Sequence, residues 1–386
     1  MHNTLIFQRK NLEPILKNLF FGKVIIIYGP RQVGKTTLCR EILKKHNGVY
    51  LSCDNPAVAQ SLAPKSAEAL RQYLGEGNLF ILDEAQRVEN IGLTLKILAD
   101  NYPDIQIIAT GSSSFELANT INEPLTGRNI KYYLFPLSIK ELANTFSLHE
   151  LRDRLTERLI YGSYPELVAQ PKRARAIISE IASDYLYRDL LSYQGVRKPE
   201  LLSKLLRLLA LQIGNEVSYF KLAKELSVSS VTIESYIRLL EQAFIIFTLS
   251  PLATNKYSEV TKLKKIYFYD VGIRNTLIDN YNPFELRNDS GVLLENFFIA
   301  EKMKEKMYSD ISYKNYFWRT KSGQEIDYVE EYRAGEEYKL FECKWDRAKA
   351  SIPQAWRKNY PESSLAIISK HTVIDELIRP YKQEGS

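Results

Sequence analysis

The run Gly29-Pro30-Arg31-Gln32-Val33-Gly34-Lys35-Thr36-Thr37 follows an unbroken stretch of branched and aromatic residues, Val24 to Tyr28. Such a stretch reads as a strand buried on both faces, and glycines directly after it let the backbone curl so that its N–H groups face a phosphate. Lys35 is spaced to reach β and γ phosphate oxygens, and the Thr36 hydroxyl to ligate magnesium. A helix is expected from Lys35 onward, its N-terminus favouring the same negative charge. Strand, loop and helix in that order commit the front of the chain to a layered α/β fold.

A second feature fits the same chemistry. Leu79 to Leu82 is another apolar run, and it ends in Asp83-Glu84. In an open parallel sheet ligands collect at the carboxyl ends of the strands, where these two acids fall. Asp83 is expected to hold magnesium through water and Glu84 to polarise an attacking water. The next strand, Ile105 to Ala109, delivers Thr110-Gly111-Ser112-Ser113 between the two motifs. Thr110 or Ser112 is read as a γ-phosphate sensor, with an ordinary strand-end turn as the alternative. Arg128, before the fifth strand, is read either as a transition-state arginine, in its own or a neighbouring subunit, or as a surface ion pair.

Five strands are expected, at Val24–Tyr28, Val49–Cys53, Leu79–Asp83, Ile105–Thr110 and Lys131–Leu134, with helices after the first three. This alternation predicts a parallel sheet covered on both faces. Residues 141–197 read as a helical connector broken at Gly162-Ser163-Tyr164-Pro165. Residues 198–275 read as three helices and two strands, the outline of a winged helix-turn-helix. Residues 276–386 read as a mixed α/β domain, with a hairpin across Arg333-Ala334-Gly335. The first domain is placed at 1–140.

These motifs, with Phe135-Pro136-Leu137-Ser138 and Glu141, resemble a widespread family of bacterial and archaeal AAA-type P-loop ATPases that carry a C-terminal domain of unknown function. The runs Gly162 to Glu166, Lys265 to Asp270 and Gly291 to Phe297 resemble its recurring landmarks, with Ser163 standing where a second glycine is expected. The resemblance implies binding and hydrolysis of ATP, with Mg²⁺ expected at Thr36 and Asp83 from the motifs themselves.

In the last domain, Glu325 and Asp327 share one face of a strand, and Glu342 and Lys344 share one face of the next. With Glu295 from the preceding helix they look like the PD-(D/E)xK nuclease core, in which carboxylates hold Mg²⁺ and the lysine steadies developing charge. The alternative is a hairpin with a solvated Glu/Lys face. In the winged-helix segment, Arg238 stands against Glu234 and Glu241, a poor set for reading bases, whereas Lys262, Lys264 and Lys265 are read as grips for phosphates.

The chain has 386 residues, 45% hydrophobic and 25% charged, with a formal net charge of +6. The length calls for more than one core, and the composition excludes wholesale disorder and fibrous classes. The charge is compatible with an anionic partner such as DNA. Three scattered cysteines exclude a disulfide framework or a zinc site, no run reaches membrane-spanning length, and a reducing cytoplasm fits. The expectation is an ATP-driven switch acting on DNA through its C-terminal half. The alternative is a regulatory or defence-related module that binds a protein partner and has an inactive nuclease-like domain.

Overall fold

The computed structural model describes residues 5–111, 125–184, 198–252, 263–309, 312–346, 349–360 and 362–379. Ser112, Ser113 and Lys262 lie outside them. The described residues form two compact units, one within 8–135 and 242–244, the other within 5–7, 136–241 and 245–379.

The first unit is built on five parallel strands: β1 (Val24–Tyr28), β2 (Val49–Ser52), β3 (Leu79–Asp83), β4 (Gln106–Gly111) and β5 (Asn129–Tyr133), in the order β2-β3-β4-β1-β5. Every residue of β1, β3 and β4 is buried, as expected of strands covered on both faces. Each such Ile or Leu contributes on the order of 2 kcal/mol by leaving water. The outer strand β2 is only partly covered. Helices follow β1 (Lys35–Lys45), β2 (Pro56–Ser61, Ala67–Leu74) and β3 (Ile91–Asn101), making the crossovers that parallel pairing needs. Because β4 lies between β1 and β3, the carboxyl ends of all three converge.

The second unit contains two sheets among its described residues. One has three antiparallel strands, β6 (Glu216–Val217), β7 (Ile246–Leu249) and β8 (Lys264–Phe268), ordered β6-β8-β7. It accompanies helices Pro199–Leu211, Tyr219–Glu225 and Ser230–Gln242. Strand β6, two residues long, is too short to leave a periodic signal in the sequence. The other sheet contains β9 (Lys314–Arg319), β10 (Glu325–Tyr332), β11 (Glu337–Cys343) and β12 (Ser363–Ile368) in the order β12-β11-β10-β9. Neighbours β9 to β11 are antiparallel, and β12 joins β11 in parallel. The helix Ser290–Tyr308 precedes this sheet.

The three landmark runs meet inside this unit. Asp270 caps the helix Val271–Leu277 by accepting from the Gly272 and Ile273 amides at 2.9 and 3.3 Å, while its other oxygen accepts from the Ser163 amide at 2.8 Å. Gly162 packs against that carboxylate so closely that an added Cβ would lie 1.9 Å from Oδ1, and its φ is +82°. Asn296 binds both the amide and the carbonyl of Phe268 at 2.9 and 2.7 Å. Ser163 is buried, with its amide engaged by Asp270; a side chain is tolerated here, one residue after the position where none fits.

Gly162→Ala is therefore expected to lower the stability of the second unit by more than about 2 kcal/mol. Gly291→Ala, on a helix with open space around the position, is expected to be neutral or stabilising by up to about 1 kcal/mol. Denaturant unfolding of the two variants beside the parent checks both signs.

Candidate functional site

The phosphate-loop residues sit where β1 ends. A Cβ on Gly29 would lie 2.1 Å from the Leu134 carbonyl oxygen, so only glycine allows the chain to leave β1 beside the strand β5 region. Gln32 and Gly34 adopt left-handed backbone conformations, φ +59° and +96°, which curl the segment before the helix begins at Lys35. The Lys35 ammonium lies inside this curl, donating to the carbonyls of Gly29 at 2.9 Å and Pro30 at 3.0 Å. Burial pulls its pKa below the ordinary lysine value, an effect opposed by Glu84 and Asp83. Arg9, which the sequence did not single out, braces the outside of the loop by donating to the carbonyls of Val33 (2.5 Å) and Phe135 (2.7 Å).

Asp83 is the hub of the site. Its Oδ2 accepts from the Thr36 hydroxyl at 2.8 Å and from the Tyr50 hydroxyl, and its Oδ1 accepts from Thr110 Oγ1 at 2.5 Å. The same Thr110 oxygen accepts from the Glu84 amide at 3.0 Å. One hydroxyl from β4 thus links the Asp83 carboxylate at the end of β3 to the backbone of Glu84 just beyond it. Glu84 has a left-handed backbone, φ +53°, a conformation that costs a non-glycine residue about 1–2 kcal/mol. Its carboxylate accepts from Gln86 Nε2 at 2.6 Å and lies 3.9 Å from the Lys35 ammonium. Tyr50 was missed because its role depends on β2 lying beside β3, which one-dimensional pattern does not reveal.

A magnesium ion with a nucleotide is the group this geometry suits. Thr36 and Asp83 offer a hydroxyl and a carboxylate 2.8 Å apart, hard oxygen donors of the kind Mg²⁺ takes, and the Lys35 ammonium stands beside them in a loop of curled backbone. Gly29 to Thr37 are contiguous around that point, as the motif requires.

Arg128 stands elsewhere. Its carbonyl accepts from the amide of Val24, the first residue of β1, whereas the phosphate loop follows the last. Five residues of strand span about 16 Å, so Arg128 is at the amino ends of the strands, opposite the end that carries Lys35. Its guanidinium pairs with Asp100 at 2.5 Å on the exposed surface. A transition-state role within its own chain is corrected on this ground, and the surface ion pair is what the structure contains.

The C-terminal acids are brought near one another but not as a metal-binding set. Among the described residues no three of His, Cys, Asp or Glu are arranged to hold a metal ion. Instead, Lys265 of β8 reaches them. Its ammonium pairs with Glu325 at 2.5 Å and with Glu295 at 3.3 Å, and Glu295 also accepts from Tyr267 at 2.6 Å. Asp327 accepts from the Cys343 amide at 2.8 Å, and Glu342 pairs with Lys344 at 2.8 Å. The acids expected to bind Mg²⁺, Glu295, Glu325, Asp327 and Glu342, are thus engaged by Lys265, the Cys343 amide and Lys344. Lys265, expected to grip phosphates from the surface, is instead 2% exposed.

Burial, followed by the neighbouring charges of Glu295 and Glu342, pushes the Asp327 carboxyl up to about 8 from its ordinary 3.8. Between those values the folded protein keeps a proton that the unfolded chain releases. Stability therefore falls as pH rises through this window and levels off above about 8, by on the order of 5 kcal/mol in all. Asp327→Asn retains an oxygen to accept from Cys343 and lacks the titration. Its thermal midpoint relative to the parent is expected to climb between pH 5 and 8, as thermal unfolding at several pH values will measure.

Residues 22–143 match the family described as "AAA domain". Residues 152–283 match "Domain of unknown function (DUF8612)", and residues 290–379 match "Domain of unknown function (DUF4143)". An uncharacterized protein of Mycobacterium tuberculosis is 28% identical over 332 residues, covering 84% of this chain and 72% of the relative. One from Methanocaldococcus jannaschii is 27% identical over 335 residues, covering 80% and 72%. A Walker-type ATPase of Pyrococcus abyssi is 18% identical, with a TM-score of 0.49 over 71% of this chain and 96% of that one. Residues 22–143 thus carry the likeness to an AAA domain, and the stretches that follow match two domains of unknown function.

Proposed function

We propose that the protein is a Mg²⁺-dependent ATPase that couples its nucleotide state to the C-terminal half. The observation that carries this reading is the hydroxyl of Thr110, which ties Asp83 and Glu84 together beside the curled Gly29–Thr37 loop. ATP phosphates would lie against the backbone amides of that loop and the Lys35 ammonium. Thr36 and Asp83 would hold the magnesium, which when bound supplies charge neutralisation for the transferring phosphoryl group. Glu84 orients water, with Gln86 holding one of its oxygens, and Thr110 senses the terminal phosphate through the two acids it joins.

In this reading residues 198–275 are a winged helix and β9 to β12 with the helix Ser290–Tyr308 are a nuclease-like core. Their antiparallel β6-β8-β7 sheet and their β12-β11-β10-β9 order support it. DNA as the target is supported by the net positive charge and by Lys264 at the start of β8. A protein partner is favoured by the third helix of that segment, where Arg238 is paired with Glu234 at 2.6 Å and Val231 is 75% exposed, with Phe220 72% exposed on the preceding helix. Apolar side chains held out from two helix ends suit a protein surface better than phosphates.

Lys35→Ala is expected to abolish ATP turnover, and full turnover by the folded variant would sink the assignment. Glu84→Gln is expected to bind nucleotide with near-parental affinity and to hydrolyse it at least about a hundredfold more slowly. Titration of a fluorescent ATP analogue beside a phosphate-release assay separates the two effects. Turnover measured with and without duplex or single-stranded DNA, across a salt series, decides the target. Stimulation that fades with salt supports DNA, and turnover indifferent to DNA supports the protein partner.

A further inference from the structure

The acid cluster of the second unit has a cation built into it. Lys265 is held on two sides by backbone: it sits in β8, between Glu216 of β6 and Leu249 of β7. The end of β8 is tied to the helix Ser290–Tyr308 by the Asn296 amide, which bonds both the N–H and the C=O of Phe268. The residue before Asn296 is Glu295, whose Oε1 accepts from Tyr267 and Lys265 of the same strand. Two adjacent side chains of one helix thus fix the strand and the ammonium it carries. Beyond Glu295, the ammonium meets Glu325 from β10 and faces the Phe317 ring of β9, 5.4 Å from its centroid. Asp327 lies on the same side of the ammonium, two residues along β10 from Glu325.

A divalent ion in a cluster of this kind needs several carboxylate oxygens free to converge on one point. Here those oxygens have other partners. Glu295 and Glu325 turn to Lys265, an Asp327 oxygen is held by the Cys343 amide, and Glu342 turns to Lys344. A buried lysine also has no route to water, so its charge stays among the acids as long as β8 stays in place. Burial opposes the charged form, and Glu295 and Glu325 more than offset it, so the lysine is held protonated.

We propose that Lys265 is an internal plug, a side-chain ammonium occupying the place a divalent cation would need among Glu295, Glu325 and Asp327, so that this cluster is closed to metal while β8 is docked. The inference rests on the nuclease-like reading of β9 to β12 and is independent of the nucleotide site. Displacement of β8 would withdraw the plug and expose the acids together.

The full chain without nucleotide, its Lys265→Met and Lys265→Ala variants, and each of these with Asp327→Asn added, would be titrated with Mn²⁺. Free Mn²⁺ would be followed by electron paramagnetic resonance and the thermal midpoint recorded in parallel. The expected result is no Asp327-dependent site in the parent, and in the Lys265 variants one new site that Asp327→Asn weakens at least tenfold. A site binding at [Mn²⁺] well above its Kd also raises the midpoint of the variant and leaves the parent's unchanged. Lys265→Met keeps the packing of the aliphatic stem, and Lys265→Ala opens room for water, so failure of one to fold leaves the other. A parent that already binds Mn²⁺ in an Asp327-dependent manner would overturn the plug and leave the nuclease-like reading standing. Folded variants that gain no site would overturn both.

Discussion

The arrangement of the first unit depends on burying β1. Its five residues are buried between β4 and β5, both paired with it in parallel, an arrangement that needs crossover connections and covers both faces of the sheet. That constraint sends the Gly29–Thr37 segment off the carboxyl end of the sheet, beside the ends of β4 and β3. The site is then a matter of a few hydrogen bonds. Thr110 reaches Asp83 and the Glu84 amide because β4 is the strand between, and Thr36 reaches Asp83 because its helix starts where the loop finishes. The left-handed backbone at Glu84 is sustained by these contacts, a local strain that goes with a carboxylate turned toward Lys35 of the loop.

The second unit is organised by polar contacts with little tolerance. Gly162 has no room for a methyl group against Asp270, and Gly272 has none against the Tyr161 carbonyl, 2.1 Å from where its Cβ would be. Asp270 satisfies three backbone amides, and Asn296 satisfies both polar groups of Phe268. Buried groups so completely paired specify one arrangement, since any shift leaves a donor or acceptor unmatched. The recurrent sequence landmarks are the pieces of this arrangement. The same contacts bring Lys265 among the acids, so a feature that looks like catalysis in the sequence is joined to one that looks like architecture.

Much of the geometry of the first unit's candidate site was legible because its signals are local. Glycine spacing, the apolar run before it and the Asp83-Glu84 pair at a strand end each carry their physical meaning without knowledge of the partners. Thr110 was legible for the same reason, standing at the end of the next apolar strand. Arg128 shows the limit: an arginine beside a strand carries no sign of which group it will meet, and the amino end of the strands, where it lies, sets its reach. The C-terminal acids show a second limit. Period two correctly set Glu342 and Lys344 together, 2.8 Å apart, but a cation arriving from another sheet leaves no mark in the spacing of the strands it meets.

By itself the sequence determined the elements and the chemical kind of the first site, because burial, backbone freedom at glycine and side-chain period act over a handful of neighbouring residues. Only the tertiary structure decided which groups meet across elements: Tyr50 and Thr110 on Asp83, Arg9 against the loop, Arg128 on Asp100, and Lys265 among the acids of β10 and the helix Ser290–Tyr308. Those pairings depend on strand order and on which surfaces the chain folds together. Charges and hydrogen bonds act through space over a few ångströms, while the residues that supply them stand 24 to 60 positions apart in the chain, as Arg9 and Val33 or Lys265 and Glu325 do.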